Sequence, residues 1–220
     1  MTYRKLVFAT GEIYHVYNRG IARAPIFKFS KDYQRFLELL NYYLYNPKMS
    51  YSHYARLDQK TKNQLMDRLK MNIPLVEIFA FCLMENHFHL LIKQDQEHGI
   101  KILLSNMQNG YAKYFNTRHD RSGSLFQSMF KAVRIEDDEQ FLHVSRYIHL
   151  NPVTAYIVEA KNILSYQWSS LTNYIDKQVF PFIKSEIILQ LIGKNKYREF
   201  VLDQVDYQRE LDKIKHLCLE

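Results

Sequence analysis

Two apolar segments, at about 75–84 and 87–94, constrain the fold of this chain more than any other feature of its sequence. Only two residues separate them, and such a short connection between apolar segments predicts a β-hairpin. Strand side chains alternate between faces, so His87 and His89 must point to the same side of the hairpin. A histidine pair on one face can hold a metal ion, although taken alone such a pair is more often structural.

The other elements follow from the spacing of apolar and turn-forming residues along the chain. A strand is expected over residues 12–17, and Ser30 is expected to cap the helix that follows. The remaining elements are expected in this order: a helical insertion at about 47–72, the hairpin, a helix at about 100–118, a strand within about 125–135 and a helix at about 138–150. This order is typical of an α+β protein with a ferredoxin-like split βαβ antiparallel sheet.

Length and composition predict one main core with an appendage. The chain has 220 residues, of which 47% are hydrophobic, and this suffices for one well-packed domain without a second large one. We assign residues 1–160 to this domain and residues 161–220 to a helical C-terminal extension packed on it. Three segments of the extension are expected to be helical: 168–170, 187–192 and 200–217.

Apolar runs and cysteines indicate where the protein acts. No apolar run approaches the roughly 20 residues that cross a bilayer, and the apolar stretch near the N-terminus is too short for a secretory signal. We therefore expect a cytoplasmic protein that contacts no membrane. Cys82 and Cys218 give neither a disulfide framework nor a CxxC metal motif, so both are expected to be reduced thiols.

The charge balance is compatible with a polyanionic partner. An excess of basic residues gives a formal net charge of +7, and 15% of the residues are aromatic. Basic side chains can neutralise phosphates and aromatic rings can stack on unpaired bases, which suits single-stranded nucleic acid. Most of the aromatic residues are needed in the core, however, so composition alone does not decide whether the protein binds nucleic acid.

The last predicted helix of the main domain carries a second candidate pair. Tyr147 and Asn151 lie four residues apart and therefore share one helix face. A tyrosine can act as a nucleophile, and an amide oxygen one turn away can act as a metal ligand. Tyr111 and Tyr114 are alternative nucleophiles, but their positions on the apolar stripe of the preceding helix favour a role in the core. Asn151 also precedes a proline, a position typical of a helix end.

Four sequence segments together carry a resemblance to a known family. They are His87-Phe88-His89, the segment 126–131, the segment 146–153 around Tyr147 and the segment 166–170. In order and spacing they resemble the IS200-type single-tyrosine (Y1) transposases, and among these most closely the REP-associated tyrosine transposases. The similarity runs from about Gly11 to Tyr174, and the residues beyond it resemble nothing specific.

The resemblance implies the chemistry of HUH endonucleases, which are named for a histidine, a bulky apolar residue and a second histidine. Such proteins cut single-stranded DNA at hairpins or palindromic repeats and rejoin it. Tyr147 would be the catalytic nucleophile that attacks a backbone phosphate, forms a 5′-phosphotyrosine link and releases a 3′-hydroxyl. A divalent cation assists this attack because a phosphodiester repels an anionic nucleophile.

The resemblance also implies a metal site. His87 and His89 would provide two ligands, and Mg²⁺ or Mn²⁺ is expected because the substrate is a phosphate. Zn²⁺ or Ni²⁺ could occupy the same imidazole ligands in a preparation. The third ligand in this superfamily is commonly a polar side chain four residues after the tyrosine. It is usually glutamine in insertion-sequence members, and here it is the shorter Asn151.

Four further residues are expected to contact DNA. His15, Asn18 and Arg19 end the first strand, where a ferredoxin-like sheet can present them to the substrate, and His143 precedes Tyr147 by one helical turn. The expected partner is single-stranded DNA with hairpin or palindromic repeats, bound by a monomer or a homodimer and associated with the nucleoid. The sequence leaves open the DNA target, self-mobilisation and the role of the C-terminal helices.

Two alternative functions remain open on the sequence alone. One is a non-catalytic protein that binds single-stranded or hairpin nucleic acid on the same fold and forms no covalent adduct. The other is a structural or assembly protein in which the histidine pair has lost its function.

Overall fold

The structure, a computed structural model, describes residues 7–175, 178–193 and 196–205. Its strands are β1 (Ile13–Arg19), β2 (Val76–Met84), β3 (His87–Gln94) and β4 (Lys131–Arg134). Its α-helices are α1 (Ser30–Tyr43), α2 (Tyr51–Tyr54), α3 (Gln59–Lys70), α4 (Gly99–Arg118), α5 (Asp138–Thr154), α6 (Thr172–Ile175), α7 (Glu186–Ile192) and α8 (Tyr197–Leu202). Short 3₁₀ helices lie at Ile21–Arg23 and Ala160–Ser165. Within the described ranges no helix combines the length and the apolar character that crossing a membrane requires.

The four strands form one antiparallel sheet in the order β2-β3-β1-β4. The chain places α1 between β1 and β2, and α4 between β3 and β4. This combination of element order and strand order is that of a ferredoxin-like fold. The predicted α+β class with a split βαβ antiparallel sheet is confirmed.

Side-chain alternation along β1 assigns its residues to the two faces of the sheet. One set is buried in the main core: Tyr14, Val16 and Asn18. The alternate set points to the other face: His15, Tyr17 and Arg19. Antiparallel pairing places Tyr17 opposite His89 and Arg19 opposite His87. Directly paired residues point to the same side of a sheet, so the histidine pair of β3 shares the second face.

The first face of the sheet is covered by α1 and α4. Phe88 of β3 is fully buried there, with its ring centroid 5.0 Å from that of Phe36 in α1. Tyr111 of α4 packs edge-on against Phe36 at 5.2 Å and donates its hydroxyl hydrogen to the carbonyl of Ile26. A buried phenol held by a backbone carbonyl is a packing residue, in agreement with the predicted place of Tyr111 in the core.

The N-terminus of α1 differs from the expected cap. Ser30 is the first helical residue, and Phe29 occupies the N-cap position. The carboxylate of the buried Asp32 accepts hydrogen bonds from the backbone N–H groups of Lys28 (3.0 Å) and Phe29 (3.1 Å) instead. The prediction was wrong by one residue: the Asp32 carboxylate fixes the backbone just before the helix, so the helix begins at Ser30 rather than after it.

The second face is covered in part by α5, which packs on β2 and β3. Phe141 of α5 meets Phe79 of β2 edge-on, with ring centroids 4.9 Å apart. The helix continues through Pro152 for two more residues, so the helix end expected before it was wrong. Pro152 has no N–H to donate to the carbonyl of Ile148, but the side-chain amide of Asn151 donates to that oxygen at 3.5 Å. The carbonyl keeps a partner, and the helix can continue.

The predicted insertion contains α2 and α3. Tyr42 of α1 contacts Tyr54 and Tyr51 of α2, with ring centroids 4.6 and 5.3 Å apart. The Tyr51 hydroxyl donates to the carboxylate of Glu38 in α1 at 2.8 Å. The insertion is therefore attached on the α1 side of the sheet, away from the histidine pair.

Residues 168–170, which we call the edge segment, pair with the outer edge of β2 rather than forming the predicted helix. The N–H of Leu83 donates to the carbonyl of Trp168 at 2.9 Å. The N–H of Ser170 donates to the carbonyl of Phe81 at 3.0 Å. The outer N–H and C=O groups of an edge strand need partners, and the edge segment supplies them.

The other C-terminal predictions have different outcomes. α7 agrees with the helix predicted at 187–192, and α8 overlaps the start of the one predicted at 200–217. The remainder of that second helix, beyond residue 205, lies outside the described residues, as do Cys218 and residues 1–6. The division of the chain between residues 160 and 161 stays a prediction.

A buried hydrogen-bond network joins α5 to the C-terminal segments. His149 of α5 is fully buried, with Nδ1 2.8 Å from the Tyr197 hydroxyl and Nε2 2.8 Å from the Ser170 hydroxyl. The Ser145 hydroxyl donates to the carbonyl of Leu142, so it accepts from the Tyr197 hydroxyl 3.0 Å away. Tyr197 in turn accepts from His149, which assigns the imidazole hydrogen to Nδ1. The network fixes α5 against both α8 and the edge segment.

Removing the Tyr197 hydroxyl should destabilise the fold. Tyr197→Phe leaves the buried Nδ1–H of His149 without its acceptor, and an unsatisfied buried donor costs about 1–3 kcal/mol. Tyr54→Phe, in the surface insertion, is the control and should change the free energy of unfolding by less than about 0.5 kcal/mol. Urea denaturation measures both variants. Equal free energies of unfolding for the wild type and Tyr197→Phe would contradict this network.

Candidate active site

Between the second face of the sheet and α5 lies a group of rings that we call the site cluster: His15, Tyr17, His87 and His89 of the sheet and Tyr147 of α5. His87 and His89 share this face because they lie two residues apart on β3. Their ring centroids are 5.0 Å apart, and the ring planes cross at 84°. The β1–β3 register places His15 and Tyr17 on the same side of the sheet as this histidine pair.

His89 is the centre of the site cluster. It is 5% exposed, and its ring contacts those of His15, Tyr17 and Tyr147 at centroid distances of 5.1, 5.6 and 5.6 Å. Nδ1 of His89 lies 2.8 Å from Nε2 of His15, so one ring donates a hydrogen to the other. Sequence reasoning missed Tyr17. It follows His15 by two residues, and alternation along the strand therefore places both on one face.

His87 is held neutral by its surroundings. Burial removes the water that would stabilise a charged imidazolium and, together with the nearby Arg19 guanidinium, lowers the pKa of His87 to about 4. Its Nδ1 lies 2.6 Å from Oδ1 of Asn86, a residue of the hairpin turn that sequence reasoning also missed. The neutral imidazole is the form that binds a metal ion, so His87 need lose no proton to act as a ligand at neutral pH.

Tyr147 lies in the same chain as the histidines that it contacts. Its ring meets those of His89 and His15 edge-on, at centroid distances of 5.6 and 5.8 Å. The packing of α5 on the sheet, through buried residues that include Ile148 and Leu150, fixes this placement. The structure therefore brings the sequence-predicted nucleophile against His89, one member of the histidine pair.

Asn151 follows Tyr147 by one turn of α5 and is 7% exposed. Its Nδ2 donates to the carbonyl of Tyr147 at 2.9 Å, in addition to that of Ile148. With the amide nitrogen directed into the helix, Oδ1 is the atom of this side chain that can accept a hydrogen bond or bind a cation. The two hydrogen bonds thus direct Oδ1 away from the helix carbonyls.

The residues predicted to contact DNA from β1 separate between the two faces. Arg19 lies on the site face, opposite His87. Asn18 points to the main core instead, is 4% exposed, and donates to Oε1 of Gln108 in α4 at 2.6 Å. Adjacent residues of a strand cannot share a face, so Asn18 separates from its neighbours. Contact with DNA stays a prediction for each of these residues and for His15.

His143 lies beside α8. Its ring centroid is 6.0 Å from that of Phe200, and its Nδ1 accepts a hydrogen bond from the Arg146 guanidinium. The same guanidinium stacks over the Phe200 ring at 4.2 Å and donates to the Phe200 carbonyl at 3.3 Å. His143 therefore belongs to the contact between α5 and α8, and its contact with DNA stays a prediction.

The predicted donor set fits a divalent cation in kind. His87 and His89 supply imidazole rings and Asn151 supplies an amide oxygen, which are groups that bind divalent cations in proteins. In the part of the chain that the structure describes, no group of three or more His, Cys, Asp or Glu side chains is arranged to hold a metal ion. The predicted set is not of that kind, because it contains two histidines and the amide of Asn151.

The sequence of the site segment matches a known family. Residues 51–151 match the family model described as IS200-like transposase, and this range includes His87, His89, Tyr147 and Asn151. Over this range the chain is similar to the IS200-like transposases. The family predicted from the sequence motifs is confirmed, and β1, with His15 and Tyr17, lies before the matched range.

A solved structure extends the comparison to most of the chain. A REP-associated tyrosine transposase bound to a REP hairpin has a similar fold, with a TM-score of 0.51 and 14% sequence identity. The match covers 86% of this chain and 93% of that one, and at this identity it shows a shared fold. No curated protein shows significant sequence similarity to the chain.

Acid should destabilise the protein because buried histidines resist protonation. Burial lowers the pKa of His149 to about 3 and, with Arg19, that of His87 to about 4, whereas an unfolded histidine titrates near 6.5. Below about pH 6.5 the unfolded state binds more protons than the folded state, so stability is lost as the pH falls from there towards about 4. Each histidine contributes a slope of at most about 1.4 kcal/mol per pH unit.

Urea denaturation between about pH 7 and pH 5 measures this slope. The variant His87→Gln removes one of the two groups, and this side chain is only half-buried, so the variant should fold. Its slope should be smaller than that of the wild type by up to about 1.4 kcal/mol per pH unit. The same slope in both proteins would show that His87 does not have a lowered pKa.

Proposed function

We propose that this protein is a metal-dependent single-stranded DNA endonuclease and strand transferase that acts at hairpin or palindromic repeats through a 5′-phosphotyrosine intermediate. The observation that carries this proposal is the contact between the rings of Tyr147 and His89, 5.6 Å apart in one chain. The reaction needs a nucleophile beside a cation site, and this contact supports that arrangement. The family match of residues 51–151 supports it independently.

In the proposed reaction the phenol oxygen of Tyr147 attacks a backbone phosphorus. A bond from Tyr147 to phosphorus forms, and the bond from phosphorus to the 3′ oxygen breaks. The phenol proton passes to solvent, and the 3′ oxygen takes up a proton to become a hydroxyl. Attack by a 3′-hydroxyl on the phosphotyrosine reverses these changes and rejoins a strand. One phosphodiester is exchanged for another in each step, so joining requires no separate source of energy.

His87, His89 and Asn151 are the residues proposed to hold the cation, Mg²⁺ or Mn²⁺. When bound, the cation would neutralise charge on the scissile phosphate and polarise it. A phosphate substrate favours these two ions, although the imidazole pair would also bind Zn²⁺ or Ni²⁺ in a preparation. Asparagine is shorter than the glutamine of insertion-sequence members, and the two helix carbonyls that hold its Nδ2 compensate by orienting Oδ1.

The proposed partner is single-stranded DNA that contains a hairpin or palindromic repeat. The solved transposase with a similar fold is bound to a REP hairpin, which supports this choice and membership of the REP-associated group. The net charge of +7 favours a polyanion. Arg19, beside His87 on the site face, is the residue best placed to contact a phosphate near the scissile bond. The proposed place of action is the nucleoid in the cytoplasm.

The contact of Tyr147 with His89 also supports catalysis by one protomer. Both side chains belong to one chain, so a single protomer carries the proposed nucleophile and both histidine ligands. A monomer would suffice for the reaction, and a homodimer would contain two such sites.

The replacement Tyr147→Phe should abolish covalent attachment to DNA. Labelled single-stranded DNA with hairpin repeats is incubated with the protein and Mn²⁺, and denaturing gels separate the protein–DNA adduct. We expect an adduct with the wild type and a decrease of at least about 100-fold with Tyr147→Phe, because the phenol oxygen forms the bond. Removing the cation with a chelator should suppress the wild-type adduct as well.

Tyr114→Phe is the matched control for this experiment. Tyr114 was one of the two alternative nucleophiles, but it lies on α4 and its hydroxyl donates to the carbonyl of Lys31, so the variant should keep the adduct. An adduct that survives Tyr147→Phe would contradict the assignment of the nucleophile. Tight DNA binding by the wild type without an adduct, across several cations and repeats, would favour a non-catalytic binding protein.

The replacement Asn151→Ala should weaken cation binding. It removes Oδ1 from the proposed ligand set, and we expect the affinity for Mn²⁺ to fall about tenfold or more. Asn151→Asp keeps an oxygen but loses the Nδ2 donor that the carbonyls of Tyr147 and Ile148 hold, so it should restore only part of the lost affinity. Electron paramagnetic resonance titration with Mn²⁺ measures the affinities, and Asn109→Ala on the exposed side of α4 is the control. Unchanged affinity in Asn151→Ala would remove this residue from the ligand set.

A further inference from the structure

Both histidines of the pair use Nδ1 for a hydrogen bond within the protein. Nδ1 of His87 lies 2.6 Å from Oδ1 of Asn86, and Nδ1 of His89 lies 2.8 Å from Nε2 of His15. A neutral imidazole has one N–H and one nitrogen with a lone pair, so the role of Nδ1 decides the role of Nε2. The neighbours of the pair therefore control which nitrogen of each ring can bind a cation.

The orientation of the Asn86 amide assigns the hydrogen of His87. Nδ2 of Asn86 donates to the carbonyl of Arg23 at 3.1 Å, which directs Oδ1 towards His87. An amide oxygen can only accept, so Nδ1 of His87 must donate and Nε2 carries the lone pair of the neutral ring. The backbone carbonyl of Asn86 also accepts from the N–H of Gly20 at 2.8 Å. The turn that holds His87 is thus fixed to the loop after β1.

His15 can have the same relation to His89. One hydrogen lies between Nε2 of His15 and Nδ1 of His89, and either ring can supply it. If His89 donates, its Nε2 has the lone pair that a ligand requires, and His15 is the acceptor. If His15 donates, Nε2 of His89 carries a hydrogen and cannot bind a cation. The ligand role of His89 is therefore compatible with the first arrangement only.

We propose that Asn86 and His15 are positioning residues that hold His87 and His89 as Nδ1–H tautomers, making both Nε2 atoms the cation ligands. This inference rests on the proposed function for the ligand role of the pair. It changes the role of His15 from a contact with DNA to an acceptor behind a ligand. A partner that accepts from a ligating imidazole fixes the ring and makes its other nitrogen more basic, and its loss typically lowers metal affinity 10–100-fold.

The tautomers can be measured without any cation or DNA. Long-range ¹H–¹⁵N correlation spectra of the full chain, labelled at its histidines, distinguish Nδ1–H from Nε2–H rings in the cation-free protein. Spectra of His87→Gln and His89→Gln assign the two signals. We expect both rings to be Nδ1–H tautomers. An Nε2–H ring at position 87 would overturn the role of Asn86, and one at position 89 would overturn that of His15.

Paired substitutions test the effect on the cation. His15→Ala and Asn86→Ala remove the acceptors, and each should lower Mn²⁺ affinity by 10–100-fold in a paramagnetic resonance titration. His15→Gln and Asn86→Asp keep an acceptor oxygen and should restore affinity to within a few-fold of the wild type. His53→Ala, an exposed histidine of α2, is the control and should bind Mn²⁺ like the wild type. Wild-type affinity in both alanine variants would overturn the positioning role.

The two measurements also separate this inference from the proposed function. The inference is supported, whatever the activity, by three results together. The two rings are Nδ1–H tautomers, Tyr147→Phe binds Mn²⁺ like the wild type, and His15→Ala binds it weakly. Nδ1–H tautomers in a wild-type protein that binds no Mn²⁺ would overturn the metal-dependent function and still support the tautomer assignment. Nε2–H tautomers in a protein that binds Mn²⁺ and forms the DNA adduct would overturn the inference alone.

Discussion

The pairing of β1 with β3 is the constraint on which the rest of the structure depends. Its register places Tyr17 opposite His89 and Arg19 opposite His87. A strand has two faces, so a shift of β1 by one residue would turn Val16 towards His89 and bury Tyr17 in the main core. The hydrogen bonds of this strand pair therefore assemble the hydrophobic core and the site cluster at the same time, and neither can form correctly without the other.

One side of the helix α5 is fixed by the C-terminal segments, and the opposite side carries the proposed nucleophile. His149 bonds to Tyr197 and Ser170, whereas Tyr147, two residues earlier, contacts His89. Two residues along an α-helix turn the side-chain direction by about 200°, so the two residues serve nearly opposite sides. The C-terminal segments, which lie beyond the range that the family model matches, thus have a structural role: they support the helix that positions Tyr147.

Local patterns were enough to predict the hairpin, the order of elements and the face shared by the histidine pair, because alternation and helical periodicity act over a few residues. They also placed Tyr147 on one face of its helix, but they did not show which part of the sheet that face would meet. Partners distant in sequence were not predictable, as for Asn18 with Gln108, since no local pattern encodes them. The predicted end of α5 was wrong because the side-chain amide of Asn151 donates the hydrogen bond that Pro152 cannot make.

The pairing of the edge segment with β2 also determines how the folded protein meets other copies of itself. With that side of the sheet occupied, β4 is the exposed edge strand of the sheet in the described part of the chain. It has only four residues and begins and ends with a basic side chain, Lys131 and Arg134, which disfavours the addition of a strand. The folded sheet should therefore resist edge-to-edge aggregation, whereas detachment of the edge segment would expose the longer and largely apolar β2 to it.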